Sequence, residues 1–293
     1  MMASAVSFIS EPTAAERQGR TADHCTVLVD GHVHLHPNFD LAGVLDCAAA
    51  NFRAHARRLG FDHPIYGCLL LAEAAGVNRF EELAGEAGHS LGRWSIRSDA
   101  WGNSIVAVCS GEPALALIAG RQIRTRECLE VLAIGCRQHF GEGDAFDAVV
   151  ARAIAESSLC IVPWGFGKWT RNRATLVKQL MRSAAADKIY LGDNGGRLHW
   201  GPPPALFAIA EEHSVPVLPG SDPFPFATHA GRVGSYGFVL RGCIDPDNLG
   251  ARILDLLVKE RRQPAGYGRG AGVLRFVWNQ FAIQVRNRLF RRL

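Results

Sequence analysis

The chain has 293 residues, of which 48% are hydrophobic and 20% charged, a balance that suits a folded globular protein and excludes a disordered or low-complexity one. No apolar run reaches the roughly 18–20 residues that a membrane-spanning helix needs. The formal charge of +4 is uneven: Arg261, Arg262, Arg269, Arg275, Arg286, Arg288, Arg291 and Arg292 follow Glu260 with no acid among them, and removing those eight leaves −4 for the rest, so the body carries no basic groove and no nucleic-acid partner is expected.

Residues 1–24 are polar, small and aperiodic and read as a flexible lead. Glu11 and Glu16 follow a very short apolar patch, which is not a secretory signal. The eight cysteines show no CxxC spacing and several sit in apolar runs, so reduced thiols in a cytoplasmic protein are expected.

The first strand is CTVLVDGHVHLH, stopped by Pro37. LAGVLDCAAANFRAHARRLG follows with helical spacing and ends on Gly60, a suitable cap. After the strand PIYGCLLLAEA and the helix NRFEELAGEAG, short β-like segments separated by Gly-rich turns form a meander, expected as an insertion at about 92–126. Strand and helix then alternate to Glu260. Seven strand candidates, at 26–36, 65–71, 128–134, 159–163, 188–193, 215–220 and 235–240, predict an α/β fold with parallel strands and crossover helices. The expectation is a single TIM-like (β/α) barrel over residues 25–260, distorted and seven-stranded. No GxGxxG follows the first strand, which removes the main support for a dinucleotide-binding sheet.

In an extended strand Asp30, His32, His34 and His36 share one face. Imidazoles two apart at the end of a strand can converge on one divalent ion such as zinc, manganese or iron. Further ligands should be anionic and come from other strand ends: Asp222 in VLPGSD, Glu73 in CLLLAEA and Asp193 in IYLGDNGGR all occupy such places. Each could instead cap the following helix or hold a turn.

VDGHVHLH together with VLPGSD resembles the amidohydrolase superfamily and, more closely, the polymerase-and-histidinol-phosphatase (PHP) family of distorted seven-stranded barrels. The resemblance implies metal ligation by His32 and His34, and a ligand or base role for Asp222. It also implies one or two divalent ions and hydrolysis by an activated water. The chain departs from the PHP pattern by holding Ala72-Glu73 and Pro223 where an Asp-His pair and a late His are typical; His229, seven residues past Asp222, is a possible substitute.

Two loops carry substrate-like equipment. PWGFGKWTRNR brings Lys168, Arg171 and Arg173 together with glycines and tryptophans, and GDNGGRLHW brings Asn194, Arg197, His199 and Trp200; such cations suit a phosphate or carboxylate. The expected site therefore has Asp222 and Asp193 as catalytic carboxylates, His32, His34, Asp222 and Glu73 as metal ligands, and His36, Lys168, Arg171, Asn194, Arg197, His199 and His229 around a small anionic substrate. The expected activity is metal-dependent hydrolysis, with a phosphoester favoured. The alternatives are an amidohydrolase cleaving a C–N bond and a degenerate PHP-like barrel that binds a ligand or partner.

Residues 261–293 form a basic tail in which Val273, Val277, Phe281, Val285, Leu289 and Leu293 make an unbroken i+4 row. This predicts an amphipathic helix. It could pack on its own domain or a partner subunit, or lie on an anionic membrane surface.

Overall fold

The computed structural model describes residues 24–199, 201–279 and 281. The expected lead over 1–24 lies outside the described residues except for His24, which opens the first strand, and Trp200 and the tail from 282 onward also lie outside them.

The chain opens with β1 (His24–Val33), α1 (Leu41–Arg58) and β2 (Ile65–Leu71). α1 starts where the Asp40 carboxylate accepts the Gly43 N–H at 2.9 Å, and it stops before Gly60, whose φ of +75° an L side chain rarely adopts. Next come α2 (Arg79–Gly85) and five short strands, β3 (Ser90–Leu91), β4 (Trp94–Ser98), β5 (Ser104–Val108), β6 (Leu115–Ile118) and β7 (Gly120–Arg124). β8 (Glu130–Ile134), α3 (Phe146–Glu156), β9 (Leu159–Pro163), α4 (Asn172–Met181), β10 (Ile189–Asn194), α5 (Ala205–Glu212) and β11 (Val217–Gly220) follow. β12 (Tyr236–Cys243), α6 (Leu249–Glu260) and β13 (Ala265–Gly268) complete the regular elements, and residues 273–279 are helical.

The strands form two open sheets, one of eight strands in the order β13-β12-β1-β2-β6-β5-β4-β3 and one of five in the order β11-β10-β9-β8-β7. This corrects the expected closed (β/α) barrel of parallel strands. β1 is parallel to β2 but antiparallel to β12, and β8 is antiparallel to both β7 and β9. The meander is not an insertion beside a barrel either, because β3 to β6 extend the larger sheet and β7 belongs to the smaller. An apolar strand buried on both faces reads the same whichever way its neighbour runs, so pairing direction left no mark on the hydrophobic pattern.

Alternation along β1 sends Leu28 into a core shared with α1 and α2, whereas Val27 and Val29 enter a central core. That central core also takes Leu132, Ile161, Tyr190 and Leu218 from the smaller sheet and Ile253, Leu254 and Leu257 from α6. A third core packs α3, α4 and α5 against the smaller sheet through Val150, Val177 and Ala210. The sheets touch near His32, where the Asp222 N–H donates to the His32 carbonyl at 2.9 Å, and near Glu73, where the Gln122 N–H donates to the Glu73 carbonyl at 2.9 Å. Gly220 permits the first approach: a Cβ there would lie 2.3 Å from the His32 nitrogen. Among the described residues no helix is long and apolar enough to cross a membrane.

Candidate metal centre

The ladder register between β1 and β2 breaks between Asp30 and Val33, so the last part of the opening strand leaves regular pairing just where the histidines begin. The His32 and His34 Nε2 atoms approach to 3.1 Å. Asp222 Oδ1 lies 3.8 Å from the first and 3.5 Å from the second. Ligand bonds of about 2.0–2.2 Å at tetrahedral angles separate neighbouring ligand atoms by about 3.3 Å. The three observed separations bracket that value. Together these residues form a group whose ligand atoms all lie within 4.8 Å of one another.

Electrostatics suit a cation. Burial, reinforced by the neighbouring His32, pushes the His34 imidazole down to about 3, which keeps it neutral and its lone pair available at neutral pH. Burial opposes the charge of Asp222, but His32, His34, Lys168 and Arg232 outweigh it and hold the carboxyl below its usual value. Asp222 also has φ of +44°, a left-handed conformation that non-glycine residues seldom take and that concentrates at functional sites.

Asp30 holds the parts together from beneath. Fully buried, its carboxylate accepts the N–H groups of Ser221 at 2.7 Å, Gly234 at 2.8 Å and His32 at 3.3 Å. It ties the opening strand to the residue before Asp222 and to the start of the next segment. Burial pushes its carboxyl up to about 6, against the pull of these hydrogen bonds.

The other residues singled out in the sequence are deployed differently. Glu73 is outside the ligand group: one oxygen accepts the Phe80 N–H at 2.7 Å near the start of α2, and the other pairs with buried Arg121 at 2.9 Å. Asp193 is held by Arg197 through two 2.8 Å bonds and by the Tyr236 hydroxyl at 2.7 Å, so the expected catalytic carboxylate and substrate cation neutralise each other. Lys168 pairs with Glu130 yet still lends positive charge to Asp222. Asn194 donates to the Trp164 carbonyl at 2.7 Å, and His199 meets the Ala271 carbonyl at 3.2 Å.

His36 stacks on His34 at 5.4 Å and meets the Pro223 carbonyl at 2.8 Å, which places it against the centre. His229 accepts the Phe224 N–H at 3.0 Å and is buried. Burial, with help from Arg232, pushes its imidazole down to about 4. Arg171 and Arg173 lie at the exposed start of α4, where Arg173 donates to the Gly167 carbonyl.

Two participants escaped the sequence reading. Asp30 was visible as the residue two before His32, but nothing local revealed that its carboxylate would reach residues 221 and 234. Arg232, only 8% exposed, donates to the Gly195 carbonyl at 2.7 Å and lends charge to Asp222; it belongs to no motif.

No protein-family model matches the chain, and no curated protein matches it in sequence. The fold is similar to that of PsfC from Pseudomonas syringae in its crystal structure, with a TM-score of 0.53 over 89% of this chain and 99% of that one. The two are 14% identical, and the likeness is one of fold alone.

Proposed function

We propose that His32, His34 and Asp222 bind one divalent ion, zinc in preference to manganese or iron, and that the protein is a metal-dependent hydrolase of a small anionic substrate, a phosphoester before an amide. The observation that carries this reading is the convergence of two imidazoles and a carboxylate, 190 residues apart at their extremes, at separations close to those around a tetrahedral ion. Imidazole and carboxylate together favour a borderline ion such as zinc over calcium or magnesium.

An ion bound there supplies Lewis acidity and brings the pKa of a coordinated water toward about 7. The chain's own residues do the rest. Asp222 accepts the proton of the attacking water, because Asp193 is occupied by Arg197 and Tyr236. Lys168 and Arg232 supply the positive charge that draws an anionic substrate to Asp222's side of the centre. His36 walls the site and is fixed by the Pro223 carbonyl.

The test is hydrolysis of p-nitrophenyl phosphate and of cyclic amides by chelator-stripped protein with zinc or manganese restored. Metal-dependent turnover of the phosphoester, absent in His34→Ala, is expected. Turnover confined to cyclic amides would move the activity to C–N bonds. No turnover of either, with an ion bound at these residues, would leave a ligand-binding role.

A further inference from the structure

Away from the metal centre, a cleft of about 730 Å³ opens between the end of α1, the residues before β12, β13 and the C-terminal helix. Its walls carry Arg58, Arg232, Arg269 and Arg275 together with His55, and among the described residues no Asp or Glu lines it. A volume in this range suits a small molecule rather than a lone ion.

Arg232 reaches the cleft from within the protein. The residue is only 8% exposed. One nitrogen donates to the Gly195 carbonyl, but Nε and Nη1 find no partner among the described residues. Arginine does not give up its proton in proteins; Asp222 and Asp30 offset part of this charge, but buried polar groups left without a hydrogen bond carry a desolvation cost. Arg275 deepens the imbalance by adding a second cation to the same wall, and the two also line an adjoining cleft of about 650 Å³. The carbonyl end of α1 contributes about half a negative charge. Four guanidinium groups outweigh it.

We propose that this cleft binds a phosphate-bearing ligand, with Arg232 at its floor and Arg58, Arg269 and Arg275 at its rim. Each guanidinium fork takes a pair of oxygens, and the several oxygens of a phosphate can be shared among more of these forks than the two of a carboxylate. The phosphate could belong to a free phosphoester or to a lipid headgroup, because Leu274, Val277, Trp278 and Phe281 on the same C-terminal segment as Arg275 are exposed apolar side chains. The cleft shares Arg232 with the surroundings of Asp222, but none of His32, His34 and Asp222 lines it, so a ligand there does not require the proposed hydrolase.

The experiment uses chelator-treated full-length protein. Inorganic pyrophosphate is titrated by calorimetry into the wild type, into an Arg58→Ala/Arg269→Ala double variant and into His34→Ala, with melting curves confirming that each is folded. Flotation with phosphatidylglycerol vesicles is run in parallel. Saturable pyrophosphate binding that weakens tenfold or more in the double variant and persists in His34→Ala is expected, and identifies a soluble phosphate-bearing molecule as the source. Vesicle binding that the double substitution abolishes, without pyrophosphate binding, supports the cleft with a lipid headgroup as the source. Binding unchanged in the double variant, loss of binding in His34→Ala, or no binding of either probe overturns the proposal.

Discussion

Replacing Asp30 by Asn separates the role of this residue in the fold from its role at the metal centre. The carboxylate accepts two short bonds, from Ser221 at 2.7 Å and Gly234 at 2.8 Å, and a longer one from His32 at 3.3 Å. Asn keeps one acceptor oxygen, and its amide must turn a donor toward the other backbone N–H. One charge-assisted bond is lost, worth about 1.5–3 kcal/mol net, while relief from burying a charge returns part of that. A loss of about 1–3 kcal/mol against a total stability of 5–15 kcal/mol leaves the variant folded. Ala would remove both short bonds and strand three buried N–H groups, at roughly 3–9 kcal/mol. Because Asp30 sets Ser221 and His32 relative to one another, Asp30→Asn should also weaken zinc binding about 10–100-fold, as loss of an outer-shell partner does. Urea unfolding of the metal-free protein measures the first effect, and competition with a chromophoric chelator measures the second. A variant that is destabilised yet binds zinc as tightly as the wild type would refute the argument that Asp30 positions the ligands.

Glu73→Gln leaves buried Arg121 without its counter-charge and should cost about 3–5 kcal/mol, lowering the melting temperature while leaving the metal content per folded chain unchanged; loss of metal from folded variant would make Glu73 a ligand after all. Gly220→Ala puts a Cβ 2.3 Å from the His32 nitrogen, so it should abolish metal binding or folding, and a soluble variant with full metal content would contradict the close approach. His229 is a base whose folded pKa is depressed to about 4 from 6.5. Its contribution to stability is therefore full above pH 6.5 and lost as pH falls through 4. Urea midpoints between those pH values should fall more steeply for the wild type than for His229→Gln, and parallel slopes would reject this account of the imidazole.

Residues with local signatures were the legible ones. His32 and His34 two apart at a strand end, and Asp222 directly after an apolar strand, do meet. α1 also ends just before the Gly60 signal. Strand pairing was not legible, because β1 and β8 are buried on both faces and such runs carry no sign of their neighbours' direction. The carboxylates divided for a similar reason. Glu73 and Asp193 follow strands as Asp222 does, but Arg121, 48 residues from Glu73, and Tyr236, 43 from Asp193, take them up. Such partners are chosen by the folded topology and leave no spacing rule in the chain. Arg232 is the extreme case, since its charge is significant only because of what surrounds it.

The central claim is that two imidazoles and one carboxylate hold a single ion. Calorimetric titration of zinc into chelator-stripped protein tests it most directly, run on the wild type, His34→Ala and Asp222→Ala. One ion per chain in the wild type, with binding lost in folded samples of both variants, is the predicted result. A wild type that takes up no zinc, manganese or iron, or variants that bind as the wild type does, would contradict it.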